Sequence, residues 1–101
     1  ATATPHGDIG TVDRNPDRSL AANNKANKPK YWERQPYSFG DCTKHEVGDD
    51  FGSVWDLGVG YSALILKSDG VNDVWVDDPM EGLYGTASAK DISHVIVCMN
   101  Q

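Results

Sequence analysis

Apolar and polar positions are spread unevenly along this chain. Up to residue 30 the larger aliphatic side chains are Ile9, Val12 and Leu20, set among Asn, Asp, Lys, Arg and Pro, so this stretch has little to bury. From Tyr31 onward short β-rich runs follow one another. Ser62–Lys67 (SALILK) is apolar and leads into Ser68-Asp69-Gly70, a turn signal. Asp73–Asp77 (DVWVD) is β-branched and aromatic and stops at Asp78-Pro79, and Ile92–Cys98 (ISHVIVC) is a third such run. The short Asp-Gly loop between the first two predicts a hairpin. Val54–Leu57 and Tyr37–Phe39 are predicted as further strands between Gly-rich turns. No segment longer than about ten residues repeats with helical period.

These elements predict an all-β fold, a small sandwich or open barrel of five to seven short antiparallel strands. Residues 1–30 are expected to form an extended polar N-terminal arm, and residues 31–101 the β domain. A chain of 101 residues is one domain at most, near the lower limit for a self-sufficient core, so the domain needs reinforcement.

Two cysteines could supply it. Cys42 and Cys98 enclose 55 residues, and a bridge closing such a loop stabilises by about 4 kcal/mol on the chain-entropy estimate. That reading implies an oxidising compartment; the alternative is two unrelated buried thiols. No apolar run approaches the roughly 20 residues needed to span a bilayer as a helix. The Ala-Thr-Ala-Thr start is compatible with cleavage after a small-residue signal site, and equally with removal of an initiator Met.

Charge then separates the two parts. Residues 1–34 carry six basic groups (Arg14, Arg18, Lys25, Lys28, Lys30, Arg34) against four acidic ones, whereas residues 35–101 carry three Lys against eleven Asp or Glu. A basic arm on an acidic body suits an arm that lies along a partner or a neighbouring copy. It does not suit nucleic acid, because phosphate is repelled by the folded part.

Several constellations could carry chemistry. Cys42-x-x-His45 with His94-x-x-x-Cys98 has the composition of a structural zinc site. A strand over residues 92–98, however, would hold His94 and Cys98 about 13 Å apart, too far for two ligands of one metal. A Cys–His nucleophilic pair lacks a nucleophile loop, and Ser93 and His94, adjacent on a strand, point to opposite faces. The pairs Asp49-Asp50 and Asp77-Asp78 fall at loops without the spacing of a calcium-binding loop; they read as turn aspartates, with a peripheral calcium ion as the alternative. Among the aromatics, Trp55 and Trp75 read as core. Trp32, beside charged residues at the base of the arm, reads as an exposed contact together with Tyr31.

Gly60–Lys67 (GYSALILK), Asn72–Asp78 (NDVWVDD) and Asp91–Cys98 (DISHVIVC) together resemble the end of a loose group of small secreted bacterial β-domains. Those domains have an apolar strand ending in Lys, a short aromatic strand and a terminal Ile-Ser-His strand closed by a Cys. The resemblance covers about 40 residues. It implies an extracellular location and a β-sandwich-like fold, and it pairs the last Cys with an upstream one, here Cys42. It carries no catalytic residues over.

The expectation is therefore a non-enzymatic, secreted or surface-displayed structural protein without cofactor. It would assemble with copies of itself as a surface or filament subunit, its arm docking on the acidic body or an open sheet edge of the next subunit. The alternative is a monomeric carbohydrate- or ligand-binding module. In either case Tyr31, Trp32, Arg14, Arg18, Asp77 and Asp78 are the candidate contact residues.

Overall fold

The structure, a computed structural model, describes residues 12–21, 23–48 and 50–99. Ile9, Asp49 and the Ala-Thr-Ala-Thr start lie outside the described residues. Among those described there are eight strands: β1 (Val12–Asp13), β2 (Arg18–Ala21), β3 (Asp41–Glu46), β4 (Val54–Leu57), β5 (Tyr61–Ser68), β6 (Val71–Trp75), β7 (Gly82–Gly85) and β8 (His94–Met99). A 3-10 turn, Asn24–Asn27, runs into the short helix α1 (Pro29–Glu33). The strands form two sheets, ordered β1-β7-β4 and β2-β6-β5-β8-β3, the all-β sandwich that the pattern predicts. Pairing is antiparallel except between β1 and β7.

Why the central runs read as near-continuous apolar sequence is now plain. Both faces of the five-stranded sheet are covered, and a strand buried on both faces loses its alternation. On one face Leu64, Leu66, Trp75, Val95 and Val97 meet Leu57 and Tyr84 of the three-stranded sheet. On the other, Ala63, Ile65, Val74, Ile96 and the two cysteines lie under Ala26 and Trp32. The hairpin turns on Asp69 and Gly70 alone, both at positive φ (44° and 78°), the backbone of a type I′ turn. That tightness lets β6 begin at Val71, two residues before the expected start.

Cys42 and Cys98 stand directly opposite each other on β3 and β8 and are joined in a disulfide. One predicted strand is absent and another replaces it. Tyr37–Phe39 forms the turn that ends α1, with the amides of Tyr37 and Ser38 both donating to Arg34 O at 2.9 Å and Ser38 at φ 51°. The strand comes just afterwards, at Asp41–Glu46. Its charged outward residues hid it, and such charges are what an edge strand carries to discourage further pairing.

Residues 12–21 and 23–30 pack against the rest of the fold. β2 extends the five-stranded sheet along the edge of β6, pairing Leu20 with Asn72. Ser19 Oγ donates to Asp73 Oδ1 at 2.7 Å, and the Val76 amide donates to Asp17 Oδ2 at 2.8 Å. A stretch with little to bury still folds here because ladder hydrogen bonds, not apolar area, hold it.

Residues 23–39 form a third layer. The Asn23 side chain accepts from the Ala26 amide at 3.0 Å, and Pro29 opens α1, where its missing N–H costs nothing. Trp32 is fully buried and its indole N–H donates to Ala26 O at 2.9 Å. Around it sit Tyr31, Tyr37 and Phe39, with ring centroids 4.8 to 6.2 Å from the indole. The Glu33 carboxylate accepts from the Cys42 amide at 2.8 Å, tying the cap to the bridged strand. Trp32→Ala should cost about 3–5 kcal/mol of stability in urea unfolding; an unchanged midpoint would show that the cap is not needed to close this face. Replacing both cysteines by Ser should cost about 4 kcal/mol by the loop-closure estimate, measured the same way.

Candidate binding groove

The outer side of the cap carries the site. Trp32 faces inward, so its helical neighbours Tyr31 and Lys30 fall at the side and on the outside. The turn after α1 then brings Tyr37 back against Tyr31, with ring centroids 5.5 Å apart. Between these elements lies a groove of about 830 Å³ lined by Lys25, Lys28, Lys30, Tyr31, Arg34, Gln35, Pro36 and Tyr37. Lys25, Lys28, Lys30 and Arg34 are exposed, and among the described residues none of the four forms a salt bridge. Burial first, and then the adjoining Tyr31, raise the Tyr37 pKa above its ordinary value, with Arg18 pulling the other way. Burial disfavours the charged phenolate, whereas the nearby Arg18 cation favours it. The groove is thus a neutral aromatic floor rimmed by four cations.

Tyr37 also lines a smaller hollow of about 310 Å³ with Ser38, Phe39, Ser62, Val76, Asp77 and Asp78. Asp78 in turn lines a third, of about 430 Å³, with Val59, Gly60, Tyr61, Pro79, Met80 and Glu81. Tyr37 is common to the first two hollows and Asp78 to the last two, the first rimmed by cations and the others by carboxylates. Asp77 and Asp78 both adopt left-handed backbone, at φ 61° and 57°, a conformation that Asp tolerates better than most residues. The Asp78 amide donates to Ser62 O at 3.2 Å, and Tyr84 Oη donates to Met80 O. This fastened loop holds out Met80, 80 % exposed, beside Val59, 70 % exposed.

The structure separates the candidate contact residues. Tyr31 lines the groove, Arg18 stands near Tyr37, and Asp77 and Asp78 line the smaller hollow. Trp32, expected to be exposed, is instead the centre of the cap's apolar cluster, because an indole among lysines can still turn to the inner side of its helix. Arg14 is likewise no free contact. Its guanidinium donates to Thr86 O at 2.8 Å and to Ser53 Oγ at 3.1 Å, clamping β1 across the end of the three-stranded sheet. A side chain built on Gly85 would meet that guanidinium at 2.8 Å, so the clamp needs glycine there.

Lys25, Lys28, Lys30, Arg34 and Tyr37 were not singled out as a set by the sequence reading. The signal was four cations within ten residues, interrupted by an aromatic pair and one proline. It was absorbed into the net charge of the arm. As for the other chemistry considered, the disulfide occupies both thiols, and His45 and His94 fall on opposite faces of the β3–β8 ladder. No group of three or more metal-ligating side chains comes together among the described residues. No helix among them is long and apolar enough to cross a membrane. The chain has no significant match among family models, curated proteins or solved structures.

One row under the cap joins two buried polar side chains to a half-buried lysine. Asn72, Lys67 and His94 are neighbours across β6, β5 and β8, and Lys67 Nζ donates to Asn27 Oδ1 of the 3-10 turn at 2.7 Å. Burial, then the cations Lys44 and Lys67, lower the His94 pKa to about 4, against a small opposing pull from Glu46. The folded state therefore holds His94 neutral while the unfolded chain, titrating near 6.5, takes up a proton. Its contribution is complete above pH 6.5 and is lost as pH falls towards 4. His94→Gln should flatten the fall in stability between about pH 6.5 and 5, a fall on the order of 2 kcal/mol in the wild type. Parallel pH dependences in urea unfolding of the two proteins would show that His94 is not the titrating group.

Proposed function

We propose that this chain is a non-enzymatic extracellular protein that works by binding, and that its contact surface is the cationic groove of Lys25, Lys28, Lys30 and Arg34 over Tyr31 and Tyr37. The disulfide supports the extracellular part, since such bridges persist in oxidising compartments. The observation that carries the binding part is four cations without salt-bridge partners around a concave aromatic floor, on a chain of net charge −6. Cations held together against the sign of the whole molecule repel one another, and an anionic partner relieves that repulsion. The aromatic floor adds apolar contact, so the partner is an anion borne on a surface with some apolar character.

The role as a surface or filament subunit attaches to this groove better than to strand addition by the arm. β1 and β2 are already paired within their own sheets, whereas the lysines at the end of the same arm face outward. The half-exposed Tyr31 and Tyr37 favour a second reading, a monomeric module for an acidic glycan, in which the rings take the sugar face and the cations its carboxylates.

Retention on a carboxymethyl support at pH 7 and low salt tests the groove directly. Net charge alone, at −6, would send the protein through the column, so retention marks a concentrated cationic face. The wild type should be retained and the variant K25Q/K28Q/K30Q/R34Q should not. Flow-through of the wild type would overturn the proposal. In the glycan reading a soluble polyuronate, but not dextran, displaces the protein.

A further inference from the structure

From the polar row under the cap we infer that the 3-10 turn is an acid-released strap, which opens when His94 takes up a proton and withdraws Lys25 and Lys28 from the groove. The inference rests on the groove being a binding surface and adds how its occupancy is regulated.

Closure over this row carries a standing penalty. Asn72 is fully buried, yet neither its Oδ1 nor its Nδ2 has a hydrogen-bond partner, and Nε2 of His94, 5 % exposed, has none either. A polar group buried without a partner loses its hydration and regains nothing, so opening returns free energy at these atoms. Among the described residues the cover on this face is the cap of residues 23–39. β2 ends at Ala21 opposite Val71, next to Asn72, and Asn27 accepts from Lys67 Nζ at 2.7 Å. The 3-10 turn therefore passes over the row, tied down by that bond and by the buried Ala26.

A proton on His94 acts on the same tie. The charged groups that face the imidazole are Lys67 on β5 and Lys44 and Glu46 on β3. Lys44 is paired with Glu46 at 2.9 Å, while Lys67 bonds the neutral Asn27. β6 brings the neutral Asn72, and the exposed Lys25 and Lys28 of the turn face outward. An imidazolium in this row would sit desolvated beside the ammonium that holds the strap. Opening hydrates the imidazolium and lets Lys67 move away.

Burial first, then the two lysines, place the His94 pKa at about 4 in the closed form, against about 6.5 once the ring is hydrated. Closure is thus fully favoured above pH 6.5 and loses its advantage as pH falls towards 4. From pH 7 to pH 5 the open fraction rises about twentyfold. Lys25 lies in the turn and Lys28 ends it, so opening takes both from the groove's rim, while Trp32 keeps α1 docked. Acid by itself removes negative charge from this protein and strengthens its attachment to an anionic surface. The strap reverses that trend.

Residue-resolved hydrogen exchange on the whole chain, at pH 7 and pH 5 and corrected for the intrinsic rate, tests the strap. The amides of Ala26 and Lys28 donate to Asn23 O and Lys25 O at 3.1 Å. They should be less protected than the β5–β8 ladder and lose about twentyfold in protection at pH 5. Lys67→Met should lower their protection at both pH values, and His94→Gln should remove the pH dependence. In the wild type alone, strap protection that stays constant while that of the ladder falls would overturn the inference, because His94 would then be hydrated only on global unfolding.

Elution from the carboxymethyl support, still largely ionised at pH 5, separates the two levels of failure. The wild type should leave at lower salt at pH 5 than at pH 7, and His94→Gln at higher salt. Absence of retention at pH 7 removes the groove and its regulation together. Retention that strengthens in acid alike for both proteins removes the regulation and leaves the groove.

Discussion

Everything on the outer face of this protein depends on burying one indole. Trp32 sits in the same closed cluster as the Cys42–Cys98 bridge, Ile65, Val74 and Ile96. Its N–H is satisfied by the Ala26 carbonyl, and its own carbonyl by the Phe39 amide. A five-stranded sheet with two apolar faces must cover both, and the smaller sheet covers one. The other has only residues 23–39, whose regular structure is a 3-10 turn and a five-residue helix. A helix that short is unstable alone. Docking of the indole supplies what propensity cannot, and the Glu33 contact with the Cys42 amide ties the same helix to the bridged strand.

Much of the β architecture was legible in the sequence, and the reasons differ from strand to strand. Val54–Leu57 was read with its true bounds, because Gly-rich turns delimit it on both sides. The β5–β6 hairpin was legible because Asp69-Gly70 can adopt two successive positive φ angles, a requirement few residue pairs meet cheaply. β3 was not legible, since an edge strand facing solvent reads as DCTKHE. Trp32 was misread for a related reason. Local polarity in the sequence describes average surroundings, while a helix sorts neighbours to opposite sides, so the one apolar residue among cations can be the most buried.

The partition of charge into a basic arm and an acidic body counts the charges without saying where each one lies in space. Arg14, Lys25 and Lys30 all belong to that arm by sequence, yet they do different things in space. Arg14 is spent inside, on Thr86 and Ser53. Lys25, Lys28 and Lys30 are gathered with Arg34 around two tyrosines. That gathering depends on the turn after α1, which no periodicity announces and which runs through residues 34–38. The candidate site was therefore present in the composition but not in any motif.

The cap also explains why the binding surface should lie where it does. Its inner side is fully committed to Trp32 and Ala26, so its outer side is free to be polar. The two β edges are occupied by β2 and by the charged β3, and the far sheet is clamped by Arg14. Cations clustered without salt-bridge partners raise the free energy of the isolated molecule, if only modestly in water. Such a cluster adds nothing to the fold, because the aromatic cap beneath it would pack as well under neutral side chains. The stability of this protein resides in the indole and the bridge, and the groove above them is the part of the cap that folding alone does not require.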